Sequence, residues 1–202
     1  FHHLDKNTCV YTFCMCPGGY VVNASSINGR LTTNGMSLSE RNAENANSAL
    51  LVSINPASVK EAMTLQREIE ERAFRVNNGK CPITSDLEKN SIILTTVRPT
   101  IMPETERTDF SKIFPLKILS ALKNGTDLFH KKIFKTQAFE KPIYTAPETR
   151  TSSPLRFKRD SNSLKAVYTE NLYPCGEGAG YAGGIMSSAI DGIKIAEAIL
   201  NN

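Results

Sequence analysis

The chain has 202 residues, 40% hydrophobic and 22% charged, with a formal net charge of +4. This is the balance of an ordinary soluble globular protein, with room for one large domain or two small ones. No apolar run is long enough to span a bilayer, which excludes a membrane span, and Phe1-His2-His3-Leu4-Asp5-Lys6 lacks the basic-then-apolar order of a secretory signal.

The chain opens without an initiator Met, which reads as a boundary inside a longer protein. Its basic residues form two short clusters, Lys131-Lys132-Lys135 and Arg150-Arg156-Lys158-Arg159, rather than one stripe. No nucleic-acid partner is therefore expected. The clusters read as solvated surface, or, at Arg150 and Arg156, as contacts to an anionic cofactor or substrate. Five cysteines with no secretion signal fit a reducing, cytoplasmic setting. The histidines, at 2, 3 and 130, do not complete a metal-ligand spacing with them, so no metal site is expected. In a strand, Cys14 and Cys16 would share a face, and they read as small side chains packed in a sheet.

Cys9 to Cys16 is rich in β-branched and aromatic residues and predicts a strand. Pro17-Gly18-Gly19 is expected to break it, and strand character resumes at Tyr20 to Ser25. Asn28-Gly29 signals a hairpin turn, with Arg30 to Thr33 as the partner strand. The polar stretch from Asn34 to Asn47 reads as a long loop, followed by a buried strand from Ser48 to Ile54. Pro56 to Val76 predicts an amphipathic helix on the spacing of Val59, Met63, Ile69, Ala73 and Val76, stopped by Asn77-Asn78-Gly79. Lys80 to Phe114 reads as irregular, with one strand at Ser91 to Val97. A shorter helix is expected from Pro115 to Lys123, ended by Asn124-Gly125. Ile143 to Thr145 and Leu155 to Phe157 read as short strands, and a long helix from Gly184 to Leu200 closes the chain. Ile185, Ala189, Ile193, Ala196 and Leu200 give that helix a broad apolar face, expected to pack against a sheet or between layers.

One segment carries chemistry. Gly176-Glu177-Gly178-Ala179-Gly180-Tyr181-Ala182-Gly183-Gly184 is expected to follow a short strand and to open the last helix. Five glycines in one turn are costly to order, so a stable protein keeps them for a reason. Glycine lets the backbone adopt positive φ and lets a bulky ligand lie against the main chain. The free N–H groups of a helix start attract anionic or electron-rich atoms. Glu177 suits a hydrogen bond to sugar or polyol hydroxyls. The alternative is a structural turn that serves tight helix packing. No Lys-Ser/Thr pair follows the glycines, which excludes a nucleotide-triphosphate loop.

Asn171 to Met186 (NLYPCGEGAGYAGGIM) resembles the C-terminal FAD motif of glutathione-reductase-type flavoproteins. More narrowly, the chain resembles the bacterial FAD-dependent (NAD/FAD-utilizing) dehydrogenase family. Thr12 to Ser26 (TFCMCPGGYVVNASS), Asn34 to Ser37 (NGMS), Asn45 to Val52 (NANSALLV) and Glu148 to Arg156 (ETRTSSPLR) extend the likeness. It is strong over 11–52 and 147–199 and weak over 53–146. The resemblance implies that Glu177 faces the ribityl and pyrophosphate part of FAD, although Asp is commoner there in the wider superfamily. It also implies that Gly176, Gly178, Ala179 and Gly180 let the cofactor lie close to the main chain. Gly183, Gly184, Ile185 and Met186 would then bring the helix N-terminus to the flavin pyrimidine carbonyl. The G-x-G-x-x-G turn that holds the ADP half of FAD is absent from this sequence. The N-terminal FAD-binding region is thus expected elsewhere in the same protein, and this chain alone is expected to bind FAD weakly or not at all. NAD(P) use is implied by the family name only.

Cys14, Cys16, Asn34 and Arg150 are the candidates for the substrate side. Arg150 either holds an anionic substrate or forms a surface ion pair, and the residues do not choose between these. The expected fold is mixed α/β (α+β): a substrate (insert) domain over 1–146 and the closing strand and helix of an FAD-binding domain over 147–202. The expected function is hydride transfer between FAD and an unidentified small-molecule substrate, by a parent enzyme of which this chain is an inactive part. The rival reading is a non-catalytic module for protein or nucleic-acid contact.

Overall fold

In chain order the elements are β1 (His2–His3), β2 (Cys9–Asn23), β3 (Thr33–Ser37), β4 (Asn45–Val52), α1 (Val59–Val76), β5 (Cys81–Thr84), β6 (Ile101–Met102) and β7 (Thr105–Arg107). A 3-10 turn (Phe110–Lys112), α2 (Leu116–Ile133), β8 (Tyr144–Thr145) and α3 (Ile185–Leu200) complete the chain. The structure is a computed structural model that describes residues 2–6, 8–88, 97–133 and 142–201. With two sheets and three helices, the fold is of the mixed α+β class.

The chain divides into two compact units, Phe1–Ala57 with Thr64–Thr149, and Ser58–Met63 with Arg150–Asn202. In the first, β2 is the strand on which the larger sheet is built. It pairs antiparallel with β1, β3 and β4 and parallel with β6. Gly19 faces both Ser37 and Asn45, so β3 and β4 flank β2 on opposite sides. The expected break at Pro17-Gly18-Gly19 does not occur. The ladder to β4 shifts register between Phe13 and Cys16 and again between Cys16 and Gly19, with Cys14 and Gly18 at positive φ. Bulges absorb the irregular residues while pairing continues on both sides of them.

The polar stretch from 34 to 47 is likewise not one loop. It supplies β3 and the start of β4, which pair with β2, and its asparagine amides add bonds to distant backbone carbonyls. Asn45 Nδ2 donates to Arg98 O at 2.6 Å, and Asn47 Nδ2 to Tyr20 O at 3.3 Å. A turn does form at Asn28-Gly29, with Gly29 at φ +75°, but ladder pairing starts only at Thr33 opposite Asn23.

Helix α1 opens with the Ser58 hydroxyl accepting the Glu61 N–H at 3.2 Å. It carries the Glu68–Arg72 pair at 3.0 Å and stops at Gly79, whose N–H bonds back to Phe74 O at 2.9 Å. Its Ile69 and Ala73 join Leu31, Cys81, Phe110, Ile113, Leu119 and Leu122 in the core of the first unit. Helix α2 runs through Asn124-Gly125, where a stop is expected, to Ile133. Gly125 faces Val10 of β2 so closely that a Cβ there would overlap it. Glycine at this position brings helix and strand together instead of ending the helix. β5 pairs with β7 in parallel and with β8 in antiparallel, making the second sheet. The strand expected at 91–97 falls, apart from Val97, outside the described residues.

In the second unit α3 forms as expected, from Gly184 as its N-cap. The stretches expected as strands at 155–157 and before the glycine turn form no ladder. The only bridge among the described residues nearby joins Arg159 to Ala166. Strand character needs a neighbouring strand, and no described strand lies in this unit. The apolar face of α3 is also not covered as expected: Ile185 is 88% exposed and Leu200 85%, while Asp191 and Ile195 are buried. No described helix is long and apolar enough to cross a membrane.

Candidate functional site

The glycine turn is held at its ends and open in its middle. Gly180 N–H bonds to Glu177 O and Tyr181 N–H to Gly176 O, both at 2.9 Å. Gly176 and Gly180 take positive φ, +69° and +83°, which only glycine adopts at little cost. A Cβ on Gly180 would also stand 2.9 Å from Arg156 Cα and closer still to the Leu155 carbonyl. These two glycines therefore serve the turn itself.

Gly178, Gly183 and Gly184 do not. None has positive φ, a Cβ on Gly178 or Gly183 would meet nothing within 4 Å, and one on Gly184 would meet only Ser187 Oγ at 3.9 Å. Nothing among the described residues demands glycine there, so the open ground in front of them is available to a ligand. Ala179 is buried, and its carbonyl accepts the Phe157 N–H at 3.1 Å. The Glu177 carboxylate is half-buried and has no hydrogen-bond partner among the described residues.

At the helix start, Ser187 Oγ donates to Gly184 O at 3.0 Å and accepts the Gly183 N–H at 3.3 Å. The first helical bond is Ser188 N–H to Gly184 O at 2.9 Å. The N–H groups of Ile185, Met186 and Ser187 precede it and point out of the helix end. Ile185 and Met186 both carry exposed side chains.

Behind the turn lies a tightly bonded ion pair. Arg159 meets Asp191 through Nη2–Oδ1 at 2.6 Å and Nη1–Oδ2 at 3.0 Å, each side chain 10% exposed. This guanidinium, helped by the Gly176 N–H, holds the Asp191 carboxyl down at about 2. Desolvation and the same carboxylate push the neighbouring Cys175 thiol above its ordinary value, so it is not an activated thiolate.

Within the first unit the substrate-side candidates do not form one cluster. Cys14 is exposed at the β2 bulge and Cys16 is half-buried, its thiol directed to Cys14 O at 3.5 Å. Neither is core packing, because the bulge breaks the alternation that would have turned both inward. Asn34 pairs with Val22, six residues beyond Cys16 and so roughly 20 Å further along β2. Arg150 is an exposed residue at the start of the second unit's main stretch. Among the described residues no three His, Cys, Asp or Glu side chains gather as a metal group.

Two residues escaped the sequence reading. Glu70 is fully buried in α1, with Thr149 Oγ1 donating to its Oε1 at 2.7 Å and Arg30 Nη1 at 4.0 Å from its Oε2. Its signal was a charge beside Ile69 and three residues before Ala73, on the apolar face. Glu148 is half-buried, burial pushes its carboxyl upward, and it has no hydrogen-bond partner among the described residues. Its neighbours are fixed on both sides. Pro147 O accepts from Thr33 N at 2.7 Å, and Thr149 O accepts from Gln66 Nε2 at 2.9 Å. No local pattern marks it, since its burial comes from residues distant in sequence.

Comparison with known proteins adds the family. Residues 1–151, three-quarters of the chain, match the model described as "FAD-dependent protein, C-terminal domain-like". The chain belongs to this family. The match covers the sheet-bearing region and stops before the glycine turn. An uncharacterized protein of Clostridium beijerinckii (strain ATCC 51743 / NCIMB 8052) is 45% identical over 202 aligned positions, covering 95% of this chain. The chain spans 38% of that relative's length.

Proposed function

We propose that this chain is the C-terminal part of a flavin-dependent oxidoreductase and supplies the flavin-facing half of its FAD site. The observation that carries this reading is the open ground at Gly178, Gly183 and Gly184, glycines that nothing among the described residues explains. Membership of an FAD-dependent family gives that ground a natural occupant. No side chain narrows that ground, so the residues present leave room for the group.

In this reading Gly178, in a turn shaped by Gly176 and Gly180, lets the cofactor approach the main chain, and the Glu177 carboxylate, which has no hydrogen-bond partner among the described residues, accepts hydrogen bonds from ribityl hydroxyls. The free N–H groups at Ile185 and Met186 meet the pyrimidine edge, where their positive potential favours negative charge. The flavin supplies hydride chemistry with a small-molecule substrate; the protein supplies position and field. Cys14, Cys16, Asn34 and Arg150 remain the substrate-side candidates, each within its own unit. FAD alone is assigned here; nicotinamide use rests on the family resemblance.

The rival is a non-catalytic module that makes protein contacts, favoured by the exposed apolar face of α3. The two part on flavin content. In the whole protein, Glu177→Ala combined with Gly184→Trp should abolish flavin binding while the fold persists. Undiminished flavin in that variant would move the cofactor away from this turn.

A further inference from the structure

Asp191 ties together three stretches of the second unit that are otherwise separate. From the second turn of α3 it receives both arms of Arg159, at 2.6 and 3.0 Å, and its Oδ2 also accepts the Gly176 N–H at 2.9 Å. Arg159 continues to Pro174 O at 2.8 Å, and its guanidinium lies 3.6 Å from the centre of the Tyr181 ring. The Tyr181 hydroxyl donates to Phe157 O at 2.7 Å and accepts the Arg159 N–H at 3.2 Å. Arg156 Nε adds a bond to Gly180 O at 2.7 Å. Both ends of the glycine turn are thus fastened to α3 and to the 156–159 stretch. In its middle, a Cβ on Gly178 would meet nothing within 4 Å among the described residues.

We propose that Asp191 and Arg159 are positioning residues that hold the glycine turn in its ligand-ready shape before any cofactor arrives. The proposal rests on the reading that this turn faces FAD. Two largely desolvated charges are a poor way to gain stability alone, since apolar packing of the same volume often serves as well or better. Here the pair's further contacts among the described residues, to Pro174, Cys175, Gly176 and Tyr181, fall on the turn or its entrance. A segment with five glycines samples many shapes when unrestrained, and ordering it on binding would weaken affinity. Fastening it in advance removes that loss.

Preorganisation has its own kinetic signature. If only a fraction of molecules has a competent turn, the association rate falls by that fraction and the dissociation rate stays unchanged. Loss of a direct ligand contact raises the dissociation rate instead. FAD association and dissociation are therefore measured on the whole protein stripped of flavin, by stopped-flow fluorescence quenching. Asp191→Ala should slow association about tenfold with dissociation within about twofold, and Asp191→Asn, which keeps an acceptor for the Gly176 N–H, should recover part of the loss. An unchanged association rate in Asp191→Ala, or a loss carried entirely by faster dissociation, overturns the proposal.

Amide hydrogen exchange on this chain without cofactor gives a readout independent of FAD. Asp191→Asn should speed exchange at 176–181 by a larger factor than in the later turns of α3, which follow only the lowered stability. Equal rates in the turn, or an acceleration no larger there than along α3, overturn the proposal. A wild-type protein that takes up no FAD sinks the cofactor reading, and the exchange measurement then decides the clamp by itself.

Discussion

Substituting Gly125 by Ala separates packing from helix propensity in one measurement. In an exposed helix interior the change would stabilise by about 1 kcal/mol, because alanine loses less backbone freedom. At Gly125 the added methyl would stand 2.9 Å from Val10 Cβ and 3.1 Å from Val10 Cγ2, and closer still to Cγ1. Val10 is fully buried in the paired strand β2 and cannot swing away. Overpacking of this kind costs roughly 1–3 kcal/mol, so the net result should be a loss of about 1 kcal/mol. For a chain of this size that lowers the melting temperature by roughly 2–4 °C.

Val10→Ala alone should cost about 2 kcal/mol through lost burial and a cavity. In that background Gly125→Ala should change sign and stabilise by up to about 1 kcal/mol, since the methyl now fills the vacated space. Urea unfolding of the four proteins in a double-mutant cycle should therefore give a coupling energy of about 2 kcal/mol. If Gly125→Ala stabilises the wild type, or the two changes add without coupling, Gly125 does not set the approach of α2 to β2.

Three further outcomes are expected. The Arg159–Asp191 pair lowers the carboxyl from 3.8 to about 2, so its stabilisation is full above the ordinary value and fades as pH falls toward 2. Urea titrations should show Asp191→Asn weaker by up to about 2 kcal/mol at neutral pH, with the gap closing only in acid; a gap independent of pH contradicts this. Burial raises the Glu148 carboxyl, so its charged form costs stability at neutral pH and the cost disappears as pH falls through the raised value. Glu148→Gln should accordingly stabilise this chain at pH 7 and change nothing in acid, and a destabilised variant would reveal a partner for the carboxylate. Gly180→Ala should disrupt the turn, by on the order of 2 kcal/mol in melting experiments, whereas Gly178→Ala should stay within about 0.5 kcal/mol of wild type; equal costs would mean the turn is not shaped as described.

Helices α1 and α3 were legible because their apolar spacing, and for α1 the stop at Asn77-Asn78-Gly79, are local properties. The β2 strand was legible at its start for the same reason. Its passage through Pro17-Gly18-Gly19 was not, since only the flanking strands hold a bulged chain extended. Asn45 and Asn47 look like loop residues until Arg98 and Tyr20 are found across from them, 53 and 27 positions away. Gly125 reads as a helix stop unless Val10 is known to face it. At the candidate site, the glycine turn and Glu177 stood out by composition. The Arg159–Asp191 clamp did not, because 32 positions separate its partners and each alone looks like a surface charge. The exposed face of α3 shows the reverse limit: periodicity says which side of a helix is apolar, not what covers it.

The most direct test of the central claim is the absorbance spectrum of the purified whole protein. The account expects the near-ultraviolet and visible bands of an oxidised flavin, bleached by dithionite and lost when Glu177→Ala and Gly184→Trp are combined. A colourless protein that also takes up no added FAD would contradict it, and would leave the glycine turn as a surface for some other partner.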